Sequence, residues 1–168
     1  MKYPFRVAAI SLLLSALAPA AFANSCMLTT PSGVLIDFGD YLSGVGDVNS
    51  ATGDLAGQAV IDVQCTKTSL LPFTYRIFID EGGESNVGLR KLRKDNSTSF
   101  LNYNMYTDAA RTLIWDREDR PSVGTGFGIG TCNSATCNRQ FTIYGLVPGR
   151  QGVRSGDYSD DIVIQISF

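Results

Sequence analysis

Apolar and polar residues alternate along much of this chain, with the period of a strand rather than of a helix. In "GQAVIDVQC" (57–65) one face collects Ala59, Ile61, Val63 and Cys65. In "FTYRIFI" (73–79) it collects Phe73, Tyr75, Ile77 and Ile79, and in "FLNYNMY" (100–106) Leu101, Tyr103 and Met105. Successive side chains of a strand point to opposite faces, so each run predicts a half-buried strand. Shorter signals lie at "GVLIDFG" (33–39), "RTLIWD" (111–116) and "QFTIYGLV" (140–147). The chain closes on a further run, with Tyr158, Ile162, Ile164, Ile166 and Phe168 on one face. Ser159, Asp161, Gln165 and Ser167 take the other, and Val163 is the apolar exception.

Gly, Pro and Asp clusters at 80–85, 116–121 and 148–152 separate these runs. No amphipathic helix is readable after residue 24, which excludes a parallel sheet with helical crossovers. Short strands with regular turn signals predict an antiparallel sandwich or barrel. The last strand raises a physical question, because an apolar strand on an open edge recruits other chains.

The N-terminus follows a different pattern. Lys2 and Arg6 precede an apolar run from Val7 to Leu17, and Ala21-Phe22-Ala23 is a small-x-small cleavage signal. This predicts a signal peptide over 1–23 and a single domain over 24–168. The run is too short for an ordinary membrane span, so no span is expected after cleavage. Cys26 raises a lipoprotein alternative, but Ala23-Asn24-Ser25 is a poor lipidation box. Removing Lys2 and Arg6 takes the net charge from −2 to −4, which argues against a nucleic-acid partner.

Chemistry is sparse. The chain has no His, which excludes His-based triads and most His metal sites. Four cysteines entering an oxidising compartment predict disulfides. Of the three pairings available, Cys26–Cys65 with Cys132–Cys137 is favoured. A zinc site is disfavoured because the CxxC spacing is absent. The Asp116/Glu118/Asp119 turn reads as solvated charge, and Asp157, Asp160 and Asp161 lack an EF-hand-type loop for calcium. "LRKLRK" (89–94) reads as a basic surface stretch. Trp115 is either core or a sugar-stacking platform. "GTGFGIGTCNSAT" (124–136) is either a flexible loop or an exposed finger presenting Phe127 and Ile129 for surface contact. No catalytic constellation, cofactor site or metal site emerges, and the chain is read as a non-enzyme.

The order of segments is nevertheless specific. "IDFGDY" (36–41), "GQAVIDVQC", "FTYRIFIDEGG" (73–83), "LNYNMYTDAARTLIWD" (101–116) and "IYGLVPGRQGVRSGDYSDDIVIQISF" (143–168) together resemble the spore coat protein U domain family. That family includes subunits of archaic chaperone–usher pili. The resemblance implies an immunoglobulin-like antiparallel β-sandwich lacking its final strand, as in pilins. It implies export through the inner membrane to the periplasm and then the cell surface. The expected partners are a periplasmic pilus chaperone, an outer-membrane usher and sibling pilin subunits that donate a strand.

On this reading Val34, Ile36 and Phe38 line one side of a donor-strand groove, and Ile162, Ile164, Ile166 and Phe168 the other. Cleavage after Ala23 leaves two residues before Cys26, too few for a donor arm of about ten residues. The expectation is therefore a tip or minor subunit in adhesion or biofilm formation. The alternative is a freestanding carbohydrate- or surface-binding module using Trp115 and the 124–136 stretch.

Overall fold

The computed structural model describes residues 23–29, 35–41, 53–83, 89–115, 125–154 and 156–168; residues 1–22 of the expected signal peptide and Val34 lie outside them. Among the described residues there is no helix, and so none long and apolar enough to cross a membrane. The strands are β1 (Ser25–Leu28), β2 (Leu55–Thr66), β3 (Phe73–Ile79), β4 (Arg90–Lys94), β5 (Phe100–Tyr106), β6 (Ile114–Trp115), β7 (Thr125–Gly126), β8 (Gly128–Cys132), β9 (Thr136–Val147), β10 (Tyr158–Ser159) and β11 (Ile164–Ser167).

They form two sheets. The larger runs β1-β2-β9-β5-β4-β10, with β6 and β7 attached beside β5; the smaller runs β11-β3-β8. Every pairing is antiparallel except the short β6–β7 contact. The backbone of the larger sheet is the β2–β9 ladder, in register from Leu55↔Val147 to Thr66↔Thr136. The predicted inner faces meet between the sheets: Ile61, Val63 and Cys65 of β2 and Leu101, Tyr103 and Met105 of β5 oppose Tyr75, Ile77 and Ile79 of β3. The all-β antiparallel sandwich is thus the fold.

Both favoured disulfides are present. Cys26–Cys65 joins directly opposed residues of β1 and β2. Cys132–Cys137 ties the end of β8 in the smaller sheet to the start of β9 in the larger one.

Three expectations need correction. The 33–39 run does not form a strand in its described part: residues 35–41 have no ladder partner and lie across the larger sheet. The C-terminal run is not one strand. Tyr158–Ser159 pairs with β4 of the larger sheet, and Ile164–Ser167 with β3 of the smaller one. The intervening residues 160–163 cross between the sheets, and Asp80 fixes that crossing. Its carboxylate accepts from the Val163 amide at 2.9 Å, and its own amide donates to the Val163 carbonyl.

The third correction is Arg90, which is fully buried although "LRKLRK" reads as surface. Its guanidinium donates to Asn104 Oδ1 (2.8 Å) and to the carbonyls of Ile79 (3.0 Å), Asp80 (2.7 Å) and Trp115 (2.8 Å). A planar five-donor fork suits such a site, where segments from both sheets present carbonyls toward one point.

Candidate functional site: an apolar groove between the sheets

The residues that build the site begin with two glycines. Gly57 of β2 and Gly145 of β9 are cross-strand partners. Together they leave a bare patch on the inner face of the larger sheet, and the 35–41 segment fills it. A Cβ on Gly57 would sit 2.7 Å from Ile36 Cγ2 and 3.0 Å from the Asp37 carbonyl. One on Gly145 would sit 2.6 Å from Phe38 Cε1. Only a residue without a side chain lets Ile36 and Phe38 approach so closely. Phe38 then makes an edge-on contact with Tyr103, ring centres 6.0 Å apart.

Opposite this segment runs the C-terminal chain, residues 153–154 and 156–162. Between the two lies a cavity of about 840 Å³. Its floor is the inner face of the larger sheet, including Leu55, Leu92, Leu101, Tyr103, Met105 and Val147. Its walls are Leu35, Ile36, Phe38 and Tyr41 on one side and Val153, Tyr158 and Ile162 on the other. At one end the walls touch, where the Gln151 amide donates to the Tyr41 hydroxyl. Gln151 also mimics a strand with its side chain, accepting from the Asn102 amide and donating to the Asn102 carbonyl.

Within the groove, the Tyr103 hydroxyl donates to Asp160 Oδ2 at 2.7 Å, and Asp160 Oδ1 accepts from the Gly83 amide at 3.0 Å. Burial raises the Tyr103 pKa far above its ordinary value of 10.0, and the bond to Asp160 and its charge push the same way. Tyr103 is therefore a neutral donor, and Asp160 is held as its acceptor.

Of the sequence-predicted groove residues, Ile36, Phe38 and Ile162 line the cavity. Ile164 and Ile166 belong instead to β11 and pack against the core, only half-buried. Phe168 is largely exposed and approaches Phe73. β11 is the outermost strand of its sheet: β3 is its one ladder partner among the described residues. Sequence reasoning missed Leu92, Val153 and the floor as a whole. The alternation in β5 marks Leu101, Tyr103 and Met105 as inward, but nothing local says that this face stays uncovered.

Trp115 is not a surface platform. It is buried, and its indole donates to the Ile77 carbonyl at 2.9 Å. The glycine-rich 124–136 stretch is not a free finger either, since it contains β8 and the turn into β9. A Cβ on Gly128 would meet the Phe141 ring at 2.9 Å and Trp115 at 3.1 Å, and one on Gly130 would overlap the Tyr75 ring. These glycines admit core aromatics. Phe127 stacks on Phe78, with centres 5.2 Å apart, beneath Arg76. Ile129 alone of the three is half open to solvent.

An antiparallel sandwich with an edge strand unpartnered among the described residues and a groove beside its C-terminal segment is the class of protein defined here. The chain belongs to the Spore Coat Protein U domain family, whose domain matches residues 11–165. Protein U of Myxococcus xanthus is 33% identical over 142 residues, spanning 81% of this chain and 73% of that protein. Among solved structures, the fold is similar to one in the CsuC–CsuE chaperone–tip adhesion subunit pre-assembly complex from archaic chaperone-usher Csu pili of Acinetobacter baumannii. The TM-score is 0.51 at 18% identity, with 87% of this chain matched. This chain spans 40% of that solved chain, and the likeness speaks to the fold alone.

Proposed function

We propose that this chain is an exported structural subunit of a chaperone–usher surface fibre, and that its groove accepts an extended strand from another polypeptide. The single observation that carries the reading is the groove itself. An 840 Å³ trough with an apolar floor lies between residues 35–41 and the C-terminal segment, and past Ile162 that segment continues into β11, the outermost strand of its sheet among the described residues. Strand addition combines both features: backbone hydrogen bonds satisfy the edge, and alternate side chains fill the trough. Each apolar side chain buried there would contribute about 1.5–3 kcal/mol. Four or five would hold a polymer firmly.

A periplasmic chaperone lends the strand first, and a sibling subunit then replaces it with its own N-terminal extension, with an outer-membrane usher as the further partner. Family membership and the fold shared with a chaperone-usher pilus complex support this sequence of events. The short stretch expected between the Ala23 cleavage point and Cys26 supports a tip or minor position in adhesion, since it is too short to donate in turn. Export is part of the same proposal and rests on the basic and apolar pattern of residues 1–23.

The test mixes the purified chain with peptides from the N-terminal arms of neighbouring subunits and follows unfolding in urea. Slower unfolding with at least one arm is expected. If no arm slows it, strand acceptance is wrong. Mass measurement of the exported chain checks the cleavage point, and a mature N-terminus ten or more residues ahead of Cys26 would return a donor role to it.

A further inference from the structure

The groove is apolar inside but carries carboxylates at both rims, and strand acceptance by itself does not use that charge. Asp37 and Asp40 stand on the 35–41 wall, Asp157 and Asp160 on the opposite wall, and Arg154 is the one cation among the described residues that line the cavity. Asp37, Asp40 and Asp157 are exposed. Lys94 reaches the rim beside Gly156, but Asp95 follows it, its amide bonded to the Asp157 carbonyl. Four carboxylates against Arg154 and Lys94 leave the two lips together net negative, with the surplus on the 35–41 side.

A strand seated in the trough points alternate side chains inward and sends the others out between the lips. Its outward residues therefore pass two rows of carboxylates. We propose that the strand this groove selects is cationic as well as apolar, with Lys or Arg at the outward positions that pass Asp40 and Asp157. The inference rests on the strand-acceptor reading and adds the chemistry of the partner. Asp160 is less available, because both its oxygens are already engaged by Tyr103 and Gly83.

The physics sets the size of the effect. Exposed ion pairs are weak, each worth about a two- to fivefold change in affinity. Like charges facing one another cost as much. Two pairs reversed from favourable to unfavourable amount to at least about tenfold. Complementary charge also raises association rates, more so at low salt.

The experiment uses the full mature chain and three fluorescent twelve-residue peptides. All share the same apolar residues at alternate positions, and the intervening positions are Lys, Gln or Glu. Binding is read by anisotropy at low and at high salt. The expected order is Lys, then Gln, then Glu, with at least about a tenfold spread at low salt that shrinks at high salt. In the Asp40→Asn, Asp157→Asn variant the spread among the three peptides collapses.

Equal binding of all three peptides overturns charge selection and leaves strand acceptance standing. So does an unchanged order in the variant. Failure of every peptide, with the chain monomeric or in a concentration-dependent dimer, gives the groove to the chain's own backbone or to a second copy. That result overturns the proposal together with the reading it rests on.

Discussion

Replacing Gly145 with Ala tests the groove wall directly, because two effects of opposite sign compete there. Glycine inside a strand normally costs about 0.5–1 kcal/mol relative to alanine, so an unopposed Gly→Ala change stabilises. At Gly145 the new methyl would stand 2.6 and 2.7 Å from two carbons of the Phe38 ring. Such contacts are not tolerated, so Phe38 must swing out of the patch. It then loses its edge-on contact with Tyr103, about 0.5–1.5 kcal/mol. It also loses roughly half the burial value of an aromatic side chain, about 1–1.5 kcal/mol. The loss exceeds the gain, and the net effect is about 1–2 kcal/mol of destabilisation.

With a urea slope near 2 kcal/mol/M, the unfolding midpoint should drop by about 0.5–1 M. Trp115 is the sole tryptophan and is buried, so its fluorescence reports the transition. Gly152→Ala is the control, since nothing lies within 4 Å of a Cβ there. It should leave the midpoint unchanged or raise it slightly. Gly57→Ala presses on the same Ile36 and Phe38, so the double variant should cost less than the two single changes together. If Gly145→Ala stabilises like the control, Phe38 does not occupy the patch and the groove wall is drawn wrongly.

Three further outcomes follow from the same packing. Arg90→Met leaves three carbonyls without this buried donor and takes from Asn104 Oδ1 one of its two donors, the Met105 amide remaining. It should lower stability by about 3–5 kcal/mol in urea unfolding, and Arg90→Lys should recover only part, because a point charge cannot span that fork.

Tyr103 has its pKa raised above 10.0 by burial and by Asp160. Its stabilising contribution is therefore complete below about pH 10 and is lost as pH rises beyond it. Tyr103→Phe should remove that alkaline loss, and identical alkaline unfolding curves would show that Tyr103 does not govern it.

Replacing both members of Cys26–Cys65 should cost about 4 kcal/mol, against about 2 kcal/mol for Cys132–Cys137, because the former closes the longer loop. Equal losses in unfolding midpoint would mean that the tie between the sheets outweighs loop length.

Alternation alone determined much of this protein. It marks the inner faces of β2, β3 and β5, and with the turn signals it specifies an antiparallel all-β fold, because a strand's side chains divide between two faces whatever it packs against. What the pattern does not encode is the opposing surface. Tyr158 and Ile164 share a phase in the sequence, yet they end in different sheets, because pairing with β4 and β3 depends on residues far away in the chain. Arg90 looks like any surface cation until segments of both sheets converge their carbonyls on it. Gly57 and Gly145 look like weak points until Ile36 and Phe38 cross them. The floor of the groove was legible as apolar, but its being left open among the described residues was decided only when the two sheets came together, since an open cleft depends on where distant segments of the chain pack.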